Sequence, residues 1–176
     1  EQLITDFFSV PKYSLKKNNF FSKIDNITIF PISKSPIRSM TIDLLNYLIQ
    51  KLVKKYKLTI VLDNKSTISN YIQKKIIKKN DIQILNPMSL NALLEIIENI
   101  NFGIFVDSGP LHVAKLFDKR GVLIESSVEA TMLLSEKSKI KHVRNDYKSA
   151  FCKGPCGLID IINYNNENGC YDSLKI

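Results

Sequence analysis

The sequence predicts an α/β fold, a parallel sheet covered by helices on both faces. Three observations carry this. Short apolar runs (ITIF, LTIVL, IQIL, GIFV, VLI) alternate along the chain with longer amphipathic stretches. The runs are apolar throughout, as strands buried on both faces are, and do not alternate polar with apolar. Polar, turn-forming residues follow each run, which is the rhythm of βαβ units. At 176 residues the chain can bury one sizeable core but not two ordinary α/β domains.

The elements follow in order. Residues 1–26 hold Phe7, Phe8, Tyr13, Phe20 and Phe21 without a clean period, broken by Pro11, and suit a short helix and linker between domains. Ile27–Phe30 is the first strand, ended by Pro31. Met40–Tyr56 is a helix whose inner face holds Leu44, Leu45, Leu48, Leu52 and Val53. Leu58–Leu62 is the second strand, and Asp63-Asn64 turns into a helix over Thr67–Lys79, with Ile68, Ile72, Ile76 and Ile77 inward. Ile82–Leu85 is the third strand. Ser89 caps a helix reaching Ile100, with Leu90, Leu93, Leu94, Ile97 and Ile100 on its apolar face. Gly103–Val106 is the fourth strand, and the next helix places Leu111, Ala114 and Leu116 or Phe117 on one face. Val122–Ile124 is the fifth strand; a short helix near Glu129–Leu134 leads to a sixth, Ile140–Val143. The expected layout is a Rossmann-like domain over 27–145 and a cysteine-containing tail over 146–176, packed back on it.

Composition narrows the function classes. No apolar run reaches the ~18 residues of a membrane span. The opening EQLITDFFSV has acidic residues where a secretory leader has basic ones, so a cytoplasmic protein is expected. The missing initiator Met points to a piece of a longer chain. The net charge of +8 is spread in Lys-Lys pairs at 16–17, 54–55, 74–75 and 78–79. These read as solvated helix faces, so nucleic acid is not an expected partner, whereas peripheral contact with an anionic inner-membrane surface is compatible with them. Cys152, Cys156 and Cys170 have neither the usual C-x2-C spacing nor an evident fourth ligand, and no metal is expected.

Ligands of open parallel sheets bind outside the carboxyl ends of the strands. Neither G-x-G-x-x-G nor a P-loop motif occurs there. The loops instead hold Ser33, Lys34, Ser35 and Arg38 after the first strand and Asp107-Ser108-Gly109-Pro110 after the fourth, with His112 one turn on. Hydroxyls with a guanidinium suit a phosphate. A helix N-terminus preceded by glycine attracts anions, and Pro110 suits a first turn. The same residues also fit an ordinary strand-to-helix turn capped by Asp107 or Ser108, a polar loop, and a histidine that only packs.

The segment MSLNALLEIIENINFGIFVDSGPLHVAKLF (88–117) resembles the signature region of glycosyltransferase family 9, the ADP-heptose:lipopolysaccharide heptosyltransferases. The shared pattern is Ser89-Leu90 opening a helix, a strand, Asp107-Ser108-Gly109, a two-residue spacer, His112 and Ala114. Upstream, ITIFPISKSPIR (27–38) is similar to the family's strand, proline and hydroxyl-rich loop ending in a basic residue. The tail CKGPCG…GCYDSL is similar to those of several members.

The resemblance implies a B-type glycosyltransferase with two facing Rossmann-like domains, this chain being the C-terminal, donor-binding one. Met88 matches a position lining the base pocket, and Asp107, Ser108, Gly109 and His112 match the donor-contacting motif. Ser33 or Ser35, with Arg38, matches the loop holding the donor phosphates. The implied partners are a nucleotide-sugar donor, ADP-heptose or another, and a lipid-linked or lipopolysaccharide glycan acceptor, with no further cofactor. The family's catalytic base lies in the other domain, so no catalytic residue is assigned. Three differences stand out: Arg38 replaces the common Lys and no Trp follows it. Ile124-Glu125-Ser126-Ser127 replaces a Phe-Gly-Pro-Thr turn, and no acidic residue lies within Asn64–Thr67. They keep open a non-catalytic nucleotide- or partner-binding module.

Overall fold

A computed structural model describes residues 23–77, 81–144 and 155–157. It contains strands β1 (Asn26–Phe30), β2 (Lys57–Val61), β3 (Ile82–Leu85), β4 (Phe102–Phe105), β5 (Gly121–Ile124) and β6 (Ile140–Val143). They form a 6-stranded sheet in the order β3-β2-β1-β4-β5-β6, every neighbouring pair parallel. This is the doubly wound, Rossmann-like order, in which the winding reverses between β1 and β4. The expected fold class is the observed one.

The pleat sends alternate residues to two cores. Ile27, Ile29, Leu58, Ile60 and Ile104 pack beneath α1 (Ile42–Leu52) and α2 (Thr67–Lys75) through Leu45, Ile49 and Ile72. Phe30, Val61, Phe105 and Leu123 pack on the other face, against α3 (Leu90–Asn99), α4 (Gly109–Leu116) and the single turn α5 (Ala130–Leu133). On that face Phe30 and Phe105 are register partners with stacked rings, 5.1 Å between centroids. The Phe105 ring also occupies the space over Gly103 and Gly121, where a Cβ would fall 2.1 Å and 2.8 Å from its atoms.

Several boundaries differ from the sequence reading. The expected helix over 40–56 is the shorter α1 (Ile42–Leu52), whose N-cap Thr41 accepts from Leu44 N, and a 3-10 turn (Pro36–Arg38) precedes it. Pro36 sits where it costs no helical hydrogen bond. The helix expected to reach Lys79 ends at Lys75, because Asn46 of α1 takes Ile77 N–H with its Oδ1 and reaches the Lys75 carbonyl with its Nδ2. Leu90, read as inward, is 67% exposed, and Ile96 joins the core in its place. On α4 the third apolar position is Phe117, while Leu116 points outward. The expected linker before Lys23 lies outside the described residues, as does most of the cysteine tail. Within that tail, Gly157 N donates to Ser127 O at 2.6 Å, so 155–157 lie against the loop after β5. Among the described residues no helix is long and apolar enough to cross a membrane, and no group of His, Cys, Asp and Glu is arranged to hold a metal ion.

Candidate functional site

A cleft of about 620 Å³ opens across the carboxyl ends of β1 to β4, within the size range of small-molecule sites. Ser33 and Lys34 enter it after β1, Asp63 to Ser66 after β2, Met88 after β3, and Ser108-Gly109-Pro110 after β4. The sheet thus brings together loops far apart in sequence.

Each wall has a local cause. After β1 the chain leaves the sheet at Pro31, whose carbonyl accepts from Met40 N at 2.8 Å, closing residues 31–40 into a compact loop. Ser33 and Ser35 are buried inside it. After β2, Asp63 accepts from the amides of Lys65 and Ser66 and from the Ser66 hydroxyl. Burial pulls its pKa upward, but the Ser66 and Lys65 bonds outweigh it and leave the carboxyl below its ordinary value. Ser66 itself caps α2 through Ser69 N. After β3, Met88 stands 81% exposed at the rim, its sulfur met by Asn64 Nδ2.

The turn after β4 differs from the starts of α1, α2 and α3. Thr41, Ser66 and Ser89 each turn a hydroxyl onto an amide of the helix they begin. Ser108 does not cap α4; its hydroxyl donates back to Val106 O at 3.2 Å. The positive end of α4 therefore borders the cleft with no hydrogen bond from its N-cap side chain. A Cβ added at Gly109 would meet nothing within 4 Å, so the space above this turn is open.

Ser33, Met88, Ser108 and Gly109 of the predicted residues line the cleft. Arg38 and Asp107 lie beneath the loops that do: Arg38 Nη1 donates to Asp107 Oδ2 at 3.2 Å, with side-chain exposures of 19% and 8%. Asp107 caps nothing in this arrangement and is instead the acid of an ion pair. Ser35 is buried, and its carbonyl accepts from Arg38 N and the Ser39 hydroxyl. His112 is half exposed, 4.0 Å from Asp107 Oδ1. It borders a separate hollow of about 360 Å³ shared with Lys115, Lys137 and Lys139, so the structure does not place it in the cleft.

The carboxylate gained after β5 is also explained. Glu125 is buried and its Oε1 accepts from Ala130 N at 2.8 Å, holding the first amide of α5. Asp63, which lines the cleft, and Ser39, which hydrogen-bonds the loop after β1 without lining it, are not among the candidate residues of the sequence reading. The Asp63-x-x-Ser66 spacing, an Asx-type turn leading into a cap, is the signal that marks the first; nothing local marks the second.

The sequence profile of glycosyltransferase family 9 (heptosyltransferase) matches residues 15–154. The chain belongs to this family. The match begins ahead of the described sheet and stops before Cys156 and Cys170. No curated protein matches the chain closely. Among solved structures, the E. coli heptosyltransferase WaaC with ADP-2-deoxy-2-fluoro heptose superposes with a TM-score of 0.57 at 13% identity, covering 69% of this chain and 37% of that one. WaaC with ADP gives 0.59 at 12% identity over 68% of this chain and 37% of that one. The E. coli ADP-heptose lps heptosyltransferase II gives 0.56 at 18%, over 82% and 42%. At these identities the likeness is one of fold, and the family 9 chain described here spans about two-fifths of their length.

Proposed function

We propose that this chain is the donor-binding domain of a glycosyltransferase that takes a nucleotide sugar, ADP-heptose or a close relative, and passes the sugar to a lipopolysaccharide or other glycan acceptor. The observation that carries the reading is the cleft at the winding reversal, where the uncapped end of α4 meets the hydroxyl- and lysine-bearing loop after β1. Family membership, and the likeness in fold to WaaC with ADP and with ADP-2-deoxy-2-fluoro heptose, support it.

In this reading the diphosphate lies over Ser108-Gly109, facing the helix dipole, with Lys34 and Lys65 supplying positive charge at the cleft wall. Met88 offers an exposed thioether at the rim, suited to the face of a base. Arg38, already paired with Asp107, stiffens the floor rather than reaching freely for phosphate. The catalytic contribution of the domain is electrostatic: it stabilises the nucleoside diphosphate as it leaves. The base that activates the acceptor belongs to the partner domain of the two-domain enzyme, and contact with an anionic membrane is left to that whole assembly.

Calorimetric titration of ADP and ADP-heptose into the wild type and Asp107→Ala tests the reading. The expected result is saturable binding that weakens in the variant. No binding by the wild type, or equal affinity in both, overturns it. Binding of ADP with no discrimination for the sugar, together with no transferase activity in the full-length protein, would favour a non-catalytic nucleotide module.

A further inference from the structure

Residues 33–38 carry one wall of the cleft, yet they contain no regular ladder beyond a single 3-10 turn. Their shape is closed instead by a side chain just outside them. The Ser39 hydroxyl accepts from Ser33 N at 3.0 Å and directs its one proton at Ser35 O (3.0 Å) and Ser33 O (3.3 Å). Ser39 N donates to Pro36 O and Arg38 N to Ser35 O, so the hydroxyl sits at the centre of a knot of backbone groups. Buried backbone groups without partners are costly, so this hydroxyl helps fix the shape of the loop from within, while the Arg38–Asp107 pair ties its end to the turn after β4.

We infer that Ser39 is a positioning residue for the donor: it touches no ligand itself but holds Ser33 and Lys34 at the cleft wall and Arg38 over Asp107. This rests on the donor-binding reading above. Without the hydroxyl, Ser33 N–H loses its acceptor and the carbonyls of Ser33 and Ser35 lose their shared donor. The loop then opens toward water, which can satisfy all of them. Binding of a diphosphate must afterwards re-order it, a cost paid out of affinity.

Two measurements on Ser39→Ala and Ser39→Thr, in the chain as it stands, test the inference. One is ADP affinity by calorimetry; the other is the rate of trypsin cleavage at Lys34-Ser35, followed by mass spectrometry and compared with cleavage at lysines elsewhere. Ser39→Ala should lower ADP affinity roughly tenfold, about the worth of one such hydrogen bond, and speed cleavage at Lys34-Ser35 selectively. Ser39→Thr, which keeps the hydroxyl, should restore both. The inference is overturned if Lys34-Ser35 is cut no faster, or if affinity holds while cleavage rises. It is equally overturned if cleavage rises at every lysine with a fall in melting temperature, since Ser39 would then serve stability in general. Absence of ADP binding in the wild type would defeat the donor reading, and with it the positioning role; selective cleavage would then show an ordered loop serving something else.

Discussion

Arg38 and Asp107 meet across the winding reversal of the sheet, guanidinium Nη1 to carboxylate Oδ2 at 3.2 Å, although 69 positions separate them in the chain. Arg38 ends the loop after β1, and Asp107 begins the turn after β4. The pair therefore ties together the two loops between which a ligand of such a sheet binds. Both side chains are largely out of water, so the attraction is screened less than a surface pair's, and removing either side chain leaves the other's charge without this partner.

Removing both partners should thus cost less than the two single removals added together. Arg38→Ala and Asp107→Ala are each expected to destabilise by about 1–3 kcal/mol, because a charge is left desolvated and unpaired. The double variant should fall short of their sum. Urea unfolding of the four proteins, treated as a double-mutant cycle, checks it; simple additivity would show that the pair is not coupled.

His112 should matter less to nucleotide binding than its place in the motif implies. It is half exposed, 4.0 Å from Asp107, and borders the hollow beside α4 rather than the main cleft. His112→Ala is expected to change ADP affinity by less than about threefold, under 1 kcal/mol, where Asp107→Ala changes it more. A larger loss in His112→Ala, measured side by side, would place the imidazole on the ligand.

The two glycines beneath Phe105 make a structural prediction. An added methyl at Gly103 meets the Phe105 ring first, at 2.1 Å, whereas at Gly121 it meets the Gly103 carbonyl oxygen at 2.3 Å. Both alanine variants should be destabilised, by about 1–3 kcal/mol or more. A smaller residue at 105 should relieve Gly103→Ala, since a side chain can be trimmed. It should not relieve Gly121→Ala, where the obstacle is backbone. Thermal melts of each variant with and without Phe105→Leu distinguish the two.

Asp63 should make stability depend on acid pH. Its carboxyl titrates below the ordinary value of 3.8 because the Ser66 and Lys65 bonds outweigh the opposing effect of burial. The folded state thus binds its proton less readily than the unfolded chain. The stabilisation is fully present above the ordinary carboxylate pKa and is lost as pH falls through the lowered one. Asp63→Asn should melt lower than wild type at pH 7, and the gap should close as pH falls through the lowered pKa, below which both side chains are neutral. A gap that persists unchanged in acid would show that the charge is not what the Ser66 turn uses.

The architecture was legible in the sequence because its signals are local. Continuous apolar runs such as ITIF and GIFV mark strands buried on both faces, and Ser89 marks a helix start; all of these keep their meaning in isolation. The same holds for the turn at Ser108-Gly109, whose position at the end of a parallel strand already marks it as a place for a ligand.

What the tertiary structure alone decided are relationships between distant segments. The end of α2 at Lys75 depends on Asn46 from another helix, and the burial of Glu125 depends on the Ala130 amide. Asp107 reads equally well as a cap or a ligand until Arg38 arrives from the far side of the winding reversal. Ser39 has no local signature, because its role comes from the closure of a loop around its hydroxyl. Periodicity and capping chemistry are properties of a dozen neighbouring residues, so sequence by itself determined the elements and the end of the sheet at which their polar loops gather. Pairing of charges and closure of loops depend on chain segments brought together only by folding, and there the three-dimensional arrangement was decisive.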